Sequence, residues 1–78
     1  MGVAEELADQ LAQEALKAED LTGDERIVDD LANLMGATSQ TAEEAFLTAV
    51  RVRRANIKAR AMLLARIKAF KATQQTDT

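Results

Sequence analysis

The sequence predicts an all-α fold: a three-helix arrangement in which two short acidic helices form a helical hairpin packed on one long basic C-terminal helix. Three observations predict it. Apolar residues recur at three- and four-residue spacing along most of the chain, the pattern of amphipathic helices. Gly23 and Gly36 divide the chain into three blocks, and proline is absent. The third block, Thr41 to Ala72, holds neither Gly nor Pro and is rich in Ala, Leu, Arg, Lys, Glu and Met, the best intrinsic helix formers.

The first helix is expected over about residues 3–18. Val3, Leu7, Leu11 and Ala18, with Ala4, Ala8, Ala12 and Ala15 beside them, make a broad apolar stripe, and Glu5, Glu6, Asp9, Gln13 and Lys17 face away. Alanine allows close approach of a neighbour but buries little area, so this stripe suits an interface better than a self-sufficient core. Thr22 with Glu25 has capping-box spacing. It predicts a second helix over about residues 23–35, with Ile27, Val28, Leu31, Leu34 and Met35 on one face. Gly36 is expected to stop that helix in a left-handed conformation.

A second capping box, Thr41 with Glu44, opens the long helix over about residues 42–72. Ala42, Ala45, Phe46, Ala49 and Val50 share one face of its first part, and Leu63, Leu64, Ile67 and Phe70 fall on nearly the same face of its last part. At ~100° per residue, Arg53, Asn56 and Arg60 interrupt that line. The two arginines lay their stems along an apolar groove, form a polar layer that fixes register, or contact a partner. If instead they neutralise acids, Asp9, Glu14, Asp29 and Asp30 are the candidates. Met62, Ala65 and Ala69 line the side opposite Leu63, Leu64 and Ile67, so the segment near the end is apolar almost all round. Such a helix is normally covered on both sides. A span of about 30 residues covers roughly 45 Å, beyond the reach of the short helices. A single helical domain over residues 1–72, with a flexible tail at 73–78, is the expected organisation.

Net charge −3 conceals an asymmetry. Residues 1–44 hold twelve acids against Lys17 and Arg26, a net −10, whereas residues 45–78 hold eight bases against Asp77, a net +7. The simplest expectation is that acidic helices lie beside the basic one and neutralise it. The chain has neither cysteine nor histidine, so the usual zinc ligands and the commonest general base are missing. Ser39 is the single serine and reads as a turn residue, and no glycine-rich phosphate loop occurs. Neither an enzyme nor a cofactor or metal site is expected. The N-terminus lacks the pattern of a signal peptide and no apolar run approaches the ~20 residues of a membrane span, so a cytoplasmic protein is expected.

These features point to a small adaptor, assembly factor or chaperone that binds itself or another protein, as a homo-oligomer or in a heterocomplex. The candidate self-association and partner residues are Phe46, Val50, Arg53, Ile57, Arg60, Met62, Leu63, Leu64, Ile67 and Phe70. In size and helical-hairpin character the chain is similar to the small chaperones of secretion machines, a similarity that no motif carries.

A second reading comes from Asp30 to Ala45, DLANLMGATSQTAEEA. Ala32 and Gly36 have the Ala-x-x-x-Gly spacing, and Leu31, Met35, Ala42 and Ala45 fall at the apolar positions, so this stretch resembles a helix-turn-helix motif. The resemblance implies a DNA-binding regulator with Ser39, Gln40, Thr41, Glu43 and Glu44 at the groove and Arg51, Arg54 and Lys58 as further nucleic-acid contacts. Glu43 and Glu44 present the wrong sign to phosphates, which makes protein binding the preferred reading.

Overall fold

The computed structural model describes residues 2–76, and for residues 75 and 76 the backbone alone. Three helices run in order, α1 over Val3–Thr22, α2 over Ile27–Gly36 and α3 over Gln40–Thr76, with no strand among the described residues. Glu5 lies beside Glu44 to Ala49, while Leu16 to Asp20 lie beside Val52 to Ile57. Hence α1 and α3 run in the same direction, and α2 returns between them.

The core is small. Ala8, Ala12 and Ala15 of α1, Val28 and Ala32 of α2, and Phe46 and Val50 of α3 are buried, with Leu11, Leu16, Ile27, Leu31, Met35 and Leu47 half-buried around them. Three alanines within ~60° of one another on the helical wheel draw the α1 backbone close to its neighbours. Phe46, fully buried, fills the space that remains. Val3 and Leu7 fall ~80° or more to one side of the alanine line and stay exposed, which corrects the broader stripe expected of α1. Leu34 is exposed as well, because the buried arc of α2 centres on Val28 and Ala32.

Both punctuation marks differ from expectation for local reasons. Thr22 is the last helical residue of α1 rather than a cap of α2, so α1 runs four residues further and α2 begins four residues later. The Thr22 hydroxyl donates to the Ala18 carbonyl at 2.7 Å and accepts from the Asp24 N–H at 3.1 Å. Gly23, at φ 74°, takes the left-handed position and donates its N–H to the Glu19 carbonyl at 2.8 Å. Gly36 lies within α2 without a positive φ. A Cβ there would meet only the mobile carboxylate end of Glu43, Oε1 at 2.7 Å, so no close backbone approach requires glycine at this position. Ser39, rather than Thr41, caps α3, its Oγ accepting from the Ala42 N–H at 3.1 Å.

Helix α3 is continuous past Asn56 and extends through residues 73–76, where a flexible tail was expected; residues 77 and 78 lie outside the described residues. At ~1.5 Å per residue its 37 residues span about 55 Å. The molecule measures 63 × 31 × 13 Å, and its radius of gyration is 17.5 Å. A compact chain of this length would give about 12 Å. The excess is α3, which leaves the three-helix body at Ile57 and continues alone.

Candidate protein-binding face

The body ends where α1 ends. Beyond it, every described residue of α3 from Lys58 to Gln74 is exposed, and this projecting arm is the candidate site. Met62, Leu63, Leu64, Ile67 and Phe70 are between 43 and 64 % exposed, and Ile57 at the base of the arm is similarly open. Five bases, Lys58, Arg60, Arg66, Lys68 and Lys71, decorate the arm, and no acid lies between Glu44 and Asp77. An apolar line with a wholly basic surround is an unusual surface for an isolated helix, whose stability depends mainly on packing.

The remaining candidate residues divide by position. Phe46 and Val50 are consumed by the chain's own core. Arg53 makes a two-pronged ion pair with Asp9, Nε to Oδ1 at 2.7 Å and Nη2 to Oδ2 at 2.8 Å. These hydrogen bonds hold the Asp9 carboxyl below its ordinary value of 3.8, against a desolvation that raises it, and the Arg53 charge adds to the lowering. The pair ties α1 to α3. Arg60, one heptad along, lies on the exposed arm with no acid near it in sequence.

Glu19 carries a role that the sequence pattern did not single out. Its side chain is mostly buried; Oε2 accepts from the Val28 N–H at 3.4 Å and Oε1 accepts from Arg54 Nη2 at 3.2 Å. One carboxylate of α1 therefore satisfies the start of α2 and a base of α3. No Ser, Thr, Asp or Asn caps α2, and that missing local cap is the signal that a residue from elsewhere must serve.

Mutual neutralisation of the acidic and basic halves is largely overturned. Two interhelical pairs form among the described residues, Asp9 with Arg53 and Glu19 with Arg54, while Asp24 and Arg26 approach to 4.0 Å within one turn. The physical reason is length. Helix α1 reaches only to the level of Ile57, whereas the five arm bases lie beyond it.

Among the helix-turn-helix candidates, Leu31, Met35, Ala42 and Ala45 are half-buried in the α2–α3 corner. Ser39 has its hydroxyl committed to the cap, Gln40 and Thr41 are exposed, and Arg54 is held by Glu19. Arg51 and Lys58 are exposed, and Lys58 lies about 27 Å along α3 from Gln40. The corner and the bases are thus separate surfaces.

No family model, curated protein or solved structure matches the chain. Among the described residues, no helix is long and apolar enough to cross a membrane, and no three metal-ligating side chains converge.

Where α1 meets the base of the arm there is an open groove of about 440 Å³. Leu16, Val52 and Ile57 form its apolar wall, and Gln13, Lys17, Asp20, Arg53 and Asn56 its polar rim. It is continuous with the apolar line of the arm.

Proposed function

We propose that the chain is a non-enzymatic protein–protein interaction module, a small cytoplasmic adaptor, assembly factor or chaperone whose binding surface is the α3 arm. It acts as an oligomer or within a heterocomplex. The observation that carries this reading is the run of exposed large apolar side chains from Ile57 to Phe70 on a helix that its own body does not cover. Burying apolar surface is worth roughly 25 cal/mol per Å², so five such side chains on one arm hold a substantial association energy in reserve. The basic surround favours an acidic partner surface and gives electrostatic steering toward it.

The test is capture from the native host by the full chain and by a Leu64→Asp, Ile67→Asp double variant. Both positions are exposed, so circular dichroism and urea unfolding of the variant should match the parent. The parent should hold a partner, a second copy of itself included, at defined stoichiometry, and the variant should lose it. Equal capture by both would remove the arm from the function. Salt-sensitive retardation of duplex DNA that needs Arg51 and Lys58, without arm-dependent capture, would favour the DNA-binding regulator instead.

A further inference from the structure

We propose that the occupant of the arm is an acidic amphipathic helix of another protein, with one narrow apolar seam and Asp or Glu on both of its flanks. The inference rests on the reading of the arm as a protein-binding surface and names the chemistry of its partner.

The placement of the bases around α3 defines the surface. Val52, Leu63, Ile67 and Phe70 are all exposed, and at ~100° per residue they fall within ~60° of one another. Val52 lies 18 residues before Phe70, five turns at ~3.6 residues each. The α1–α3 groove that Val52 lines and the tip of the arm therefore share one seam. Arg66 stands ~40° beyond one edge of that seam, and Arg60 and Lys71 stand ~20–40° beyond the other. Lys58 and Lys68 in turn separate Met62 from Ile57 and Leu64. The widest sector of the arm without a base is thus ~120°, the width of the stripe by which one helix packs on a neighbour.

Charge complementarity selects the occupant. None of the five arm bases forms an ion pair among the described residues, and no acid lies between Glu44 and Asp77. Charges that flank a narrow seam set partner choice between paired helices. Two copies of the arm would bring ten bases together with no acid between them, in either direction, and this like-charge contact disfavours self-pairing. An acidic helix reverses the sign. Its apolar residues cover Leu63, Ile67 and Phe70 while its carboxylates reach Arg66 on one side and Arg60 and Lys71 on the other. A lipid surface takes a helix whose apolar and charged faces are segregated, whereas bases enter every sector of this arm wider than ~120°. Duplex DNA supplies phosphates but nothing that covers the seam. The body then limits where the partner's charge falls. Residues 2–57 hold twelve acids against Lys17, Arg26, Arg51, Arg53 and Arg54, a net −7. The partner's acids therefore belong over the arm. Its end over the groove is apolar, against Leu16, Val52 and Ile57, because Lys17 and Arg53 share that groove with Asp20.

The experiment titrates purified full chain with synthetic helical peptides as long as the seam, in about 0.1 M NaCl, where screening still leaves contact charges effective. One peptide has a Leu and Ile seam flanked by Glu, a second has the same seam flanked by Lys, and a third keeps the Glu flanks with Gln along the seam. Calorimetry should give a Kd of about 10 μM or tighter for the first, with the other two weaker by about tenfold or more. Arg60→Glu with Arg66→Glu should invert the preference toward the Lys-flanked peptide. Both positions are exposed, so circular dichroism of that variant should match the parent. Arg51→Glu alters an exposed base outside the arm and should leave binding of the first peptide within about twofold. Equal binding of the Glu- and Lys-flanked peptides, or no inversion in the double variant, would overturn the acidic partner. Equal binding of the Gln peptide would overturn the seam. Tighter binding to phosphatidylserine-containing vesicles or to a short DNA duplex would overturn the helix as occupant. Self-association of the chain alone that Leu64→Asp abolishes would do the same. No binding of the first peptide would overturn the inference, while arm-dependent capture from the host would still support the arm as a binding surface.

Discussion

Phe46 and Leu64 stand five turns apart on the same line of α3, at ~3.6 residues per turn. Phe46 is fully buried and Leu64 is 64 % exposed. Nothing in the helix itself distinguishes them, since both belong to an unbroken α-helix. The difference lies in the neighbours. Helix α1 stops at Thr22, where Gly23 turns the chain left-handed and sends α2 back toward the start of α3. Periodicity thus decides which face of α3 is apolar, and the length of α1 decides how much of that face is covered. The two halves can be separated by substitution.

The largest contrast is expected at the two residues themselves. Phe46→Ala empties the centre of a small core and should cost about 3–5 kcal/mol. A domain this small has little more than that in hand, so the variant should be largely unfolded in water at 25 °C. Leu64→Ala, measured in dilute solution, should fall within about 0.5 kcal/mol of the parent. Urea unfolding followed by far-ultraviolet circular dichroism measures both. Similar losses at the two positions would break the comparison by showing that the arm is covered even at low concentration.

A smaller contrast concerns alanines. Ala12 is fully buried in the core that α1 shares with α2 and α3, so Ala12→Leu should overpack the site and cost about 1–3 kcal/mol. Ala61→Leu on the arm has open space around it and a helix propensity close to that of alanine. Its monomer stability should not change measurably. If Ala12→Leu were neutral, the close approach of the helices would have to be abandoned.

Glu19→Ala should follow, at about 1–2 kcal/mol, because it strips a charged acceptor from the Val28 N–H and from Arg54 together. Glu19→Gln keeps an acceptor for Val28 and should recover part of the loss. Removing Glu14, exposed on the same helix, is the control and should be near neutral.

These sites also mark what the sequence could and could not convey. The three helices, the acidic pair and the overlong basic third helix follow from period, composition and glycine position. The exact caps do not. Thr22 and Glu25 have the spacing of a capping box, but Gly23 between them reaches the left-handed conformation and ends α1 instead. Thr41 and Glu44 have the same spacing, yet Ser39 takes the cap two residues earlier. Capping-box spacing requires only two residue types three apart, so it recurs wherever polar residues cluster. The apolar residues of the arm were legible as candidates because Leu63, Leu64, Ile67 and Phe70 lack partners of matching size in the alanine-rich helices. That Phe46 and Val50 belong to the core, and Leu63 and Leu64 do not, depended on the end of α1, which the spacing set four residues short. Glu19 was illegible because its partners, Val28 and Arg54, are brought to it only by the tertiary fold.

The finest contrast lies between Arg53 and Arg60, one heptad apart on the same line. Arg53 meets Asp9 across α1 through two hydrogen bonds, whereas Arg60 stands on the arm. The Asp9 carboxyl is held below its ordinary value by those hydrogen bonds first, desolvation opposing and the Arg53 charge assisting. A carboxyl whose pKa is lower folded than unfolded contributes stability that is fully present above about pH 4 and is lost as pH falls through the folded value. The melting temperature of the parent should therefore drop between pH 6 and pH 3 by an amount that includes this pair. Arg53→Leu and Asp9→Asn should each reduce that drop by the same share, and the double variant should reduce it no further. Arg60→Leu should leave the pH dependence as it is, because no carboxylate pairs with Arg60 among the described residues. It should also extend the apolar line of the arm and, on the proposed reading, strengthen binding through it. Other carboxylates contribute to the acid sensitivity of all these variants alike, so the informative quantity is the difference between the Arg53 and Arg60 variants. Equal acid profiles for the two would place the Asp9–Arg53 pair among surface contacts that hold no measurable energy. The boundary between the covered and uncovered halves of α3 would then rest on packing alone.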